Sequence, residues 1–311
     1  MPAPPIEIRP VVDDAGAELS LALYNETIPE RAATLEEVRA YWEGMLAHLD
    51  AVAYLDGEPA GSGFVAVEPQ HRHDDVAHAM LAVPSRCRRR GVGMALYRAV
   101  STWAAERGRT TLEGWIHDSD PDGRDFALSR GFAEASRDAR IALDLTAIEP
   151  PPAEPPPGIE IVTWAERPDL ARGLYEVALE CYPDIPGEED VAVEPFEEWL
   201  AHDMGGPSDR PEATFVALAE GEVVGYAKFH LSGAQPRVAH HDLTGVKRAW
   251  RGRGIAGALK RTQIAWAKAQ GYEGLETANE LRNEPIRRLN ERLGYRDLPG
   301  RALVRGPLAP S

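Results

Sequence analysis

Sliding the chain against itself by 163 positions lays Val83 on Val246, Arg88 on Arg251, Arg90 on Arg253 and Gly91 on Gly254. In the same register Trp103 meets Trp266, Leu112 meets Leu275, Glu113 meets Glu276 and Gly131 meets Gly294. No gap is needed across about fifty residues, so any fold assigned to one half must serve the other as well. A length of 311 residues gives each half room for its own core. The run "EPPPAEPPPG" at 149–158 divides them and holds six prolines, a composition that favours extended polyproline and forbids helix. The expectation is a domain over 1–148, an extended linker over 149–158 and a second domain over 159–311.

Each half reads alike. A first strand ("IEIRPV", "GIEIVTW") precedes helical segments, and then a hairpin turns on an acidic residue followed by glycine. A strand ending at Val83 or Val246 runs into a basic glycine loop and then an amphipathic helix. On that helix Val92, Ala95, Leu96, Ala99 and Trp103 answer to Ile255, Ala258, Leu259, Thr262 and Trp266. A further strand ("TTLEGWI", "GLETAN") and a helix ending in "RGF" or "LGY" close the pattern. This spells mixed α/β, with a mostly antiparallel central sheet flanked by helices.

The loop of the second copy, "RAWRGRGIAGALKRT", contains a literal GxGxxG at Gly252, Gly254 and Gly257. A dinucleotide-binding turn needs its first glycine at the strand end, in a fold that begins βαβ. Neither condition is met, and in the first copy Gly252 becomes Arg89 and Gly257 becomes Met94. The element common to both copies is R-x-x-G-x-[GA], so the GxGxxG reads as accidental. No Gly-Lys-Ser/Thr follows, which removes a P-loop. What remains is a small-residue loop at a helix N-terminus, whose free N–H groups, helix dipole and arginines suit a ligand with several phosphates.

At these residues the chain resembles the GNAT superfamily of N-acetyltransferases, in which this loop cradles the pyrophosphate of acetyl-CoA. "NERLGY", Asn290–Tyr295, is similar to that family's closing motif, and Asn283 matches a recurrent Asn able to cap the last helix beside CoA. With two copies the chain looks like the tandem acetyltransferases that include mycothiol synthase. The resemblance implies acetyl-CoA as acyl donor and a small-molecule primary amine as acceptor. It places CoA at Thr244, Gly245 and Val246 on the strand and at Arg251, Gly252, Arg253, Gly254, Ile255 and Ala256 on the loop, with Asn283 alongside. By register Leu81, Ala82, Val83, Arg88, Arg89, Arg90, Gly91, Val92 and Gly93 are the first copy's counterparts.

Candidates for proton removal from the amine are His241, Asp242 and Glu276, with His78 and Glu113 as register partners. Asn290 stands where many members carry a Tyr acid, and an amide can donate a hydrogen bond to sulfur but no proton. Tyr272 and Tyr295 are the alternatives. Because Asp120 replaces Asn283 in the first copy, catalysis is expected in the C-terminal half, and the N-terminal half either holds CoA structurally or binds nothing. Between the first two helices of the second half, Asp184, Glu188, Glu189 and Asp190 would draw a cationic acceptor.

The net charge of −16 argues against nucleic acid as a partner. Two cysteines, Cys87 and Cys181, offer neither a disulfide framework nor a metal-ligand spacing, so no metal is expected. No apolar run approaches membrane length and the N-terminus lacks a signal pattern, so the expected setting is cytoplasmic, without membrane partners, as a monomer or homodimer. A CoA-binding sensor without turnover is the competing reading.

Overall fold

The computed structural model describes residues 5–68, 75–185 and 193–310. The first half forms β1 (Ile6–Pro10), α1 (Asp14–Thr27), α2 (Leu35–Glu43), β2 (Ala47–Leu55), β3 (Glu58–Val67) and β4 (Val76–Ala82). It continues through α3 (Val92–Ala105), β5 (Thr111–His117), α4 (Pro121–Leu128) and β6 (Ala133–Asp144). The second half repeats the order as β7 (Ile159–Thr163), α5 (Ala171–Cys181), α6 (Phe196–His202), β8 (Thr214–Ala219), β9 (Glu222–His230) and β10 (Val238–Val246). Then come α7 (Ile255–Ala269), β11 (Gly274–Glu280), α8 (Glu284–Arg292) and β12 (Arg296–Pro307). The mixed α/β architecture, mostly antiparallel and present twice, is as the sequence spells it.

The chain divides into two compact units, but not at the proline run. Unit 1 comprises residues up to Arg137 together with those from Arg301 onward, and unit 2 spans Asp138–Gly300. In unit 1, strands β1 to β5 are joined at the β5 edge by Arg301–Pro307 of β12. In unit 2, β7 to β11 are joined at the β11 edge by Asp138–Asp144 of β6. Each unit thus takes its sixth strand from the other half of the sequence, and this displaces the boundaries expected at 148 and 158. Both closing strands are 12 residues long, ample to complete a sheet, and a repeat cannot tell which sheet each one joins.

The proline run belongs to unit 2 rather than standing free. Arg261 Nη2 donates to Glu154 O at 3.4 Å, and Pro156 Cγ lies 3.7 Å from where a Cβ on Gly254 would sit.

Both faces of the unit 2 sheet are covered. Along β8, Phe215, Ala217 and Ala219 enter the core beneath Ile255, Leu259 and Ile264 of α7. Alternate residues Val216 and Leu218 enter a second core with Leu174 and Val177 of α5 and Trp199 of α6. Period-two alternation explains how one strand serves both layers. In unit 1, Val92, Leu96, Val100 and Trp103 make the buried stripe of α3. The two hairpins turn on Asp56–Gly57 (φ 55° and 84°) and Glu220–Gly221 (φ 51° and 86°), two left-handed residues in succession that match the twist of the flanking strands.

Candidate active site

In each unit one parallel strand pair comes apart where a ligand could enter. β10 pairs with β11 only over Val238–His240, and β4 with β5 only over Val76–His78. Beyond those residues β10 continues to Val246 and β4 to Ala82, leaving their far edges without that partner. Thr244, Gly245 and Val246, and Leu81 and Ala82, therefore lie on open strand edges, with Val83 one residue past the end of β4, able to receive an extended chain as an added strand would.

The loops that follow share one backbone design. Arg251 Nε donates to Val246 O at 2.9 Å and Arg88 Nε to Val83 O at 3.0 Å. The first arginine of the motif thus fastens the loop to the strand end, a structural duty that the charge pattern did not announce. Gly252 has φ 77° and its counterpart Arg89 has φ 61°. Gly254 and Gly91 are left-handed N-caps, φ 83° and 91°, with no side-chain cap on α7 or α3. The first two glycines of the GxGxxG therefore have a backbone reason; they are not accidental. Below them Ile255, Ala256, Val92 and Gly93 begin helices whose first N–H groups lack a side-chain acceptor, the arrangement that suits an anion.

The arginines are held differently in the two units. In unit 2, Arg251 Nη1 meets Asp184 at 2.7 Å, while Arg253 stacks on Trp250 at 4.5 Å and donates to Ala249 O. Asp184 also takes Arg248 through both oxygens, at 2.7 and 3.0 Å, and this hydrogen bonding to Arg248 holds its carboxyl at about 2. Asp184 thus ties down the glycine–arginine loop and is held by two arginines rather than standing free at a rim. Glu188, Glu189 and Asp190 lie outside the described residues. In unit 1, Arg88 takes Asp120 through two bonds, at 2.6 and 3.1 Å, Arg89 takes Asp122, and Arg90 lies 3.5 Å from Asp56. Asp120 also caps α4, accepting from Gly123 N at 3.0 Å. Asn283 makes no such bond on α8, so the capping role expected of it falls to its counterpart.

The four catalytic candidates separate. His241 is buried, with Nδ1 3.0 Å from Gln263 Oε1 and Nε2 2.5 Å from Tyr295 Oη. Burial, and then the nearby Lys260 ammonium, hold its imidazole well below the usual range. A neutral ring with both nitrogens engaged serves the core, so His241 is not placed to take a proton from an acceptor. The same contact removes Tyr295 as a free acid, and Tyr272 packs on Trp266 at 6.1 Å. Glu276 pairs with Arg140 at 3.1 Å. Asn290 is fully buried and donates Nδ2 to Asn279 Oδ1 at 3.0 Å, its own Oδ1 unpartnered. In unit 1, Glu113 is bonded to Arg305.

Asp242 is different, and a residue that sequence reading missed explains why. Between His241 and Thr244 the β9–β10 register shifts by one residue, whereas β3–β4 runs from Ser62↔Ala82 to Ala66↔His78 without a shift. Strand alternation already sets Asp242 on the face opposite His241, and the bulge leaves Asp242 and Leu243 together opposite Lys228. The Asp242 side chain remains 43% exposed, and its Oδ2 lies 2.9 Å from Lys228 Nζ. Lys228, only 3% exposed, also meets Asp209 at 3.0 Å and donates to Asp203 O. Burial would push its ammonium down, but Asp242, Asp203 and Asp209 more than offset that and hold it up. Tyr182 Oη bonds the Asp203 carboxylate, and Trp199 Nε1 donates to Tyr182 Oη at 3.4 Å. A lysine inside the otherwise apolar run "VVGYAKF" was the available signal. The result is a carboxylate held by a buried lysine, still partly accessible, on the strand whose edge lies open.

An open strand edge, a bulge and a bare helix N-terminus meet in unit 2 of a mixed α/β fold built twice, and the chain belongs to the acetyltransferase (GNAT) family: the family's model matches residues 18–132 and again 171–295. Mycothiol acetyltransferase of Brachybacterium faecium is 29% identical over 228 residues, covering 70% of this chain, which in turn spans 66% of that relative's length. Among solved structures, a tandem GNAT protein from the clavulanic acid biosynthesis pathway matches with TM-score 0.77 at 20% identity, covering 99% of this chain and 100% of its own. A GCN5-related N-acetyltransferase from Sphaerobacter thermophilus matches with TM-score 0.74 at 24% identity, covering 98% of this chain and 96% of its own. At those identities the two structures speak to fold. No helix among the described residues is long and apolar enough to cross a membrane, and no group of three or more metal-capable side chains occurs among them.

Proposed function

We propose that unit 2 transfers an acetyl group from acetyl-CoA to the primary amine of a small molecule by direct attack on the thioester. The observation that carries this is the Lys228-held carboxylate of Asp242, which lies at the β10 bulge beside an open strand edge in unit 2, whereas the paired part of β4 in unit 1 has no bulge. The residues fit the donor. The N–H groups of Gly254, Ile255 and Ala256 and the Arg253 guanidinium would hold phosphates, and the backbone of Thr244–Val246 would align the pantetheine arm. Acetyl-CoA supplies an activated acyl thioester when bound. Asp242 Oδ1 accepts the proton that the ammonium must lose before its nitrogen can attack. Asn290 offers a hydrogen bond at most, so the thiolate leaves without a side-chain acid at that position. The setting we assign is the cytoplasm, with the protein as a monomer or homodimer.

Thiol release from acetyl-CoA, followed across a panel of amines that includes a cysteinyl amine, tests the reading. The cysteinyl amine earns its place from the mycothiol acetyltransferases to which the chain is similar. Turnover with any member supports the proposal. CoA binding without turnover across the panel supports the second reading, a CoA sensor, which Asn290 in place of an acid favours.

A further inference from the structure

The two loops have the same backbone, yet they face different neighbours. In unit 2 the last helix opens with Asn283, and its first acidic residue, Glu284, is held at 2.5 Å by Arg288 on the same helix. The one carboxylate on Arg251, Asp184, comes from the turn after α5, not from α8, and among the described residues Arg253 has no carboxylate partner. In unit 1 the corresponding helix, α4, opens with "DPDGRD", Asp120–Asp125, and turns two of its acids onto the loop.

We infer that unit 1 takes no CoA, because the carboxylates of Asp120 and Asp122 fill the phosphate place of its own loop. Asp120 is fixed at both ends, bonded twice to Arg88 and capping α4 through Gly123 N. Asp122 bonds Arg89 and lies 3.6 Å from Arg88 Nη1. Hydrogen bonding to Arg89 holds the Asp122 carboxyl below its usual range, so it is ionised at neutral pH. Both acids line a cavity of about 500 Å³ between α3 and α4, beside Gly91 and Phe126. Three arginines (Arg88, Arg89, Arg130) and three aspartates (Asp120, Asp122, Asp125) line it, so the aspartates offset the arginines' attraction for a polyanion. The Arg89–Asp122 pair is exposed and weak on its own. Asp120 is not so easily displaced, since swinging it aside would uncap α4. Both charges would then still stand within a few ångströms of the pyrophosphate, each opposing it. Unit 1 therefore keeps the shape of a nucleotide cradle while its own side chains occupy it.

The inference rests on the cradle reading of unit 2 given above, and one titration series distinguishes the two. Full-length protein is titrated with CoA by calorimetry, as wild type, as Asp120→Asn/Asp122→Asn, and each again with Gly254→Glu. Asparagine at 120 retains the oxygen that caps α4, and circular dichroism confirms the fold. The expectation is one site per chain in the wild type and two in the double variant, the second gaining at least about tenfold in affinity, roughly 1.4 kcal/mol. Gly254→Glu should remove the wild type's site and leave the double variant with one. Two sites in the wild type, or a stoichiometry that the double variant does not change, overturn the inference. No site in the wild type with one in the double variant would uphold the inference and remove the unit 2 cradle instead.

Discussion

Between His241 and Asp242 the chain passes its chemistry from the buried α7 side of the sheet to the α5 side, and the consequences are measurable residue by residue. Asp242→Asn keeps the shape and an acceptor for Lys228 but cannot take a proton. We expect kcat to fall at least about a hundredfold, with the KM for acetyl-CoA unchanged in steady-state assays. Lys228→Met leaves three aspartates facing one another without their cation, and a broken buried ion pair costs about 3–5 kcal/mol, which denaturant unfolding would read directly. Lys260 makes the opposite case. It is fully buried in α7, and burial lowers its ammonium to about 7. The folded protein therefore gives up this proton some way below the unfolded chain, whose lysine titrates near 10.4. Between about pH 7 and 10 the unfolded state binds more protons, so stability rises with pH in that window. Lys260→Met should flatten the rise and stabilise the protein at pH 7 by something on the order of 4 kcal/mol. Denaturant midpoints at pH 7 and 9.5 that move in parallel for both proteins would contradict this. None of the three roles could be read from residue type alone. "AHHDL" offers two histidines and an aspartate in a row, and which of them is buried and which meets Lys228 shows only once the neighbouring strands and helices are in place.

At the scale of elements, the loop and its helix were the legible part. Repetition at a fixed offset exposed R-x-x-G-x-[GA], and its first glycine sits at a left-handed helix N-cap in both units. Two things stayed hidden. One was the anchoring of the first arginine to the strand carbonyl, which spends on structure a charge expected to meet phosphate. The other was the source of the competing carboxylates, because Asp184 and Asp120 reach the same motif position from different elements. Gly254→Glu places a carboxylate and a Cβ at a left-handed position at the mouth of α7, and should abolish turnover. Gly91→Glu, folded by circular dichroism, should leave most of it. If the folded Gly91→Glu protein is the inactive one, the assignment of chemistry to unit 2 is reversed. Gly252 makes a milder comparison. With φ 77° it fits glycine better than Arg89 fits its counterpart, where the left-handed backbone costs a non-glycine residue roughly 1–2 kcal/mol.

For the whole molecule, the repeat predicted two similar units but not their membership. Each half does carry its own closing strand in sequence; what no pattern of residues records is that the strand completes the other sheet. The proline run misled for a related reason, since a composition that forbids helix says nothing about which core it packs against. Separate expression of 1–148 and 159–311 should therefore yield fragments that lack cooperative thermal unfolding, because each lacks a strand of its own sheet while carrying one cut from the other. A cooperative melt of 159–311 alone, followed by circular dichroism, would count against the exchange. Removing the residues after Gly300 should loosen unit 1, with hydrogen exchange accelerating over Thr111–His117 of β5, the strand that Arg301–Pro307 covers.

The exchange also sets a timetable for synthesis. A ribosome makes the chain from residue 1 forward, and domains ordinarily fold in the order in which they emerge. Here the first unit to begin is the last to be completed, since its sheet waits for Arg301–Pro307. Unit 2, an unbroken span from Asp138 to Gly300, has every strand it needs before those residues are made. Throughout that interval β5 stands as an uncovered edge on a nascent chain, the kind of edge that pairs with neighbours when exposed. A pause late in translation would therefore burden the first half of the protein, not the second.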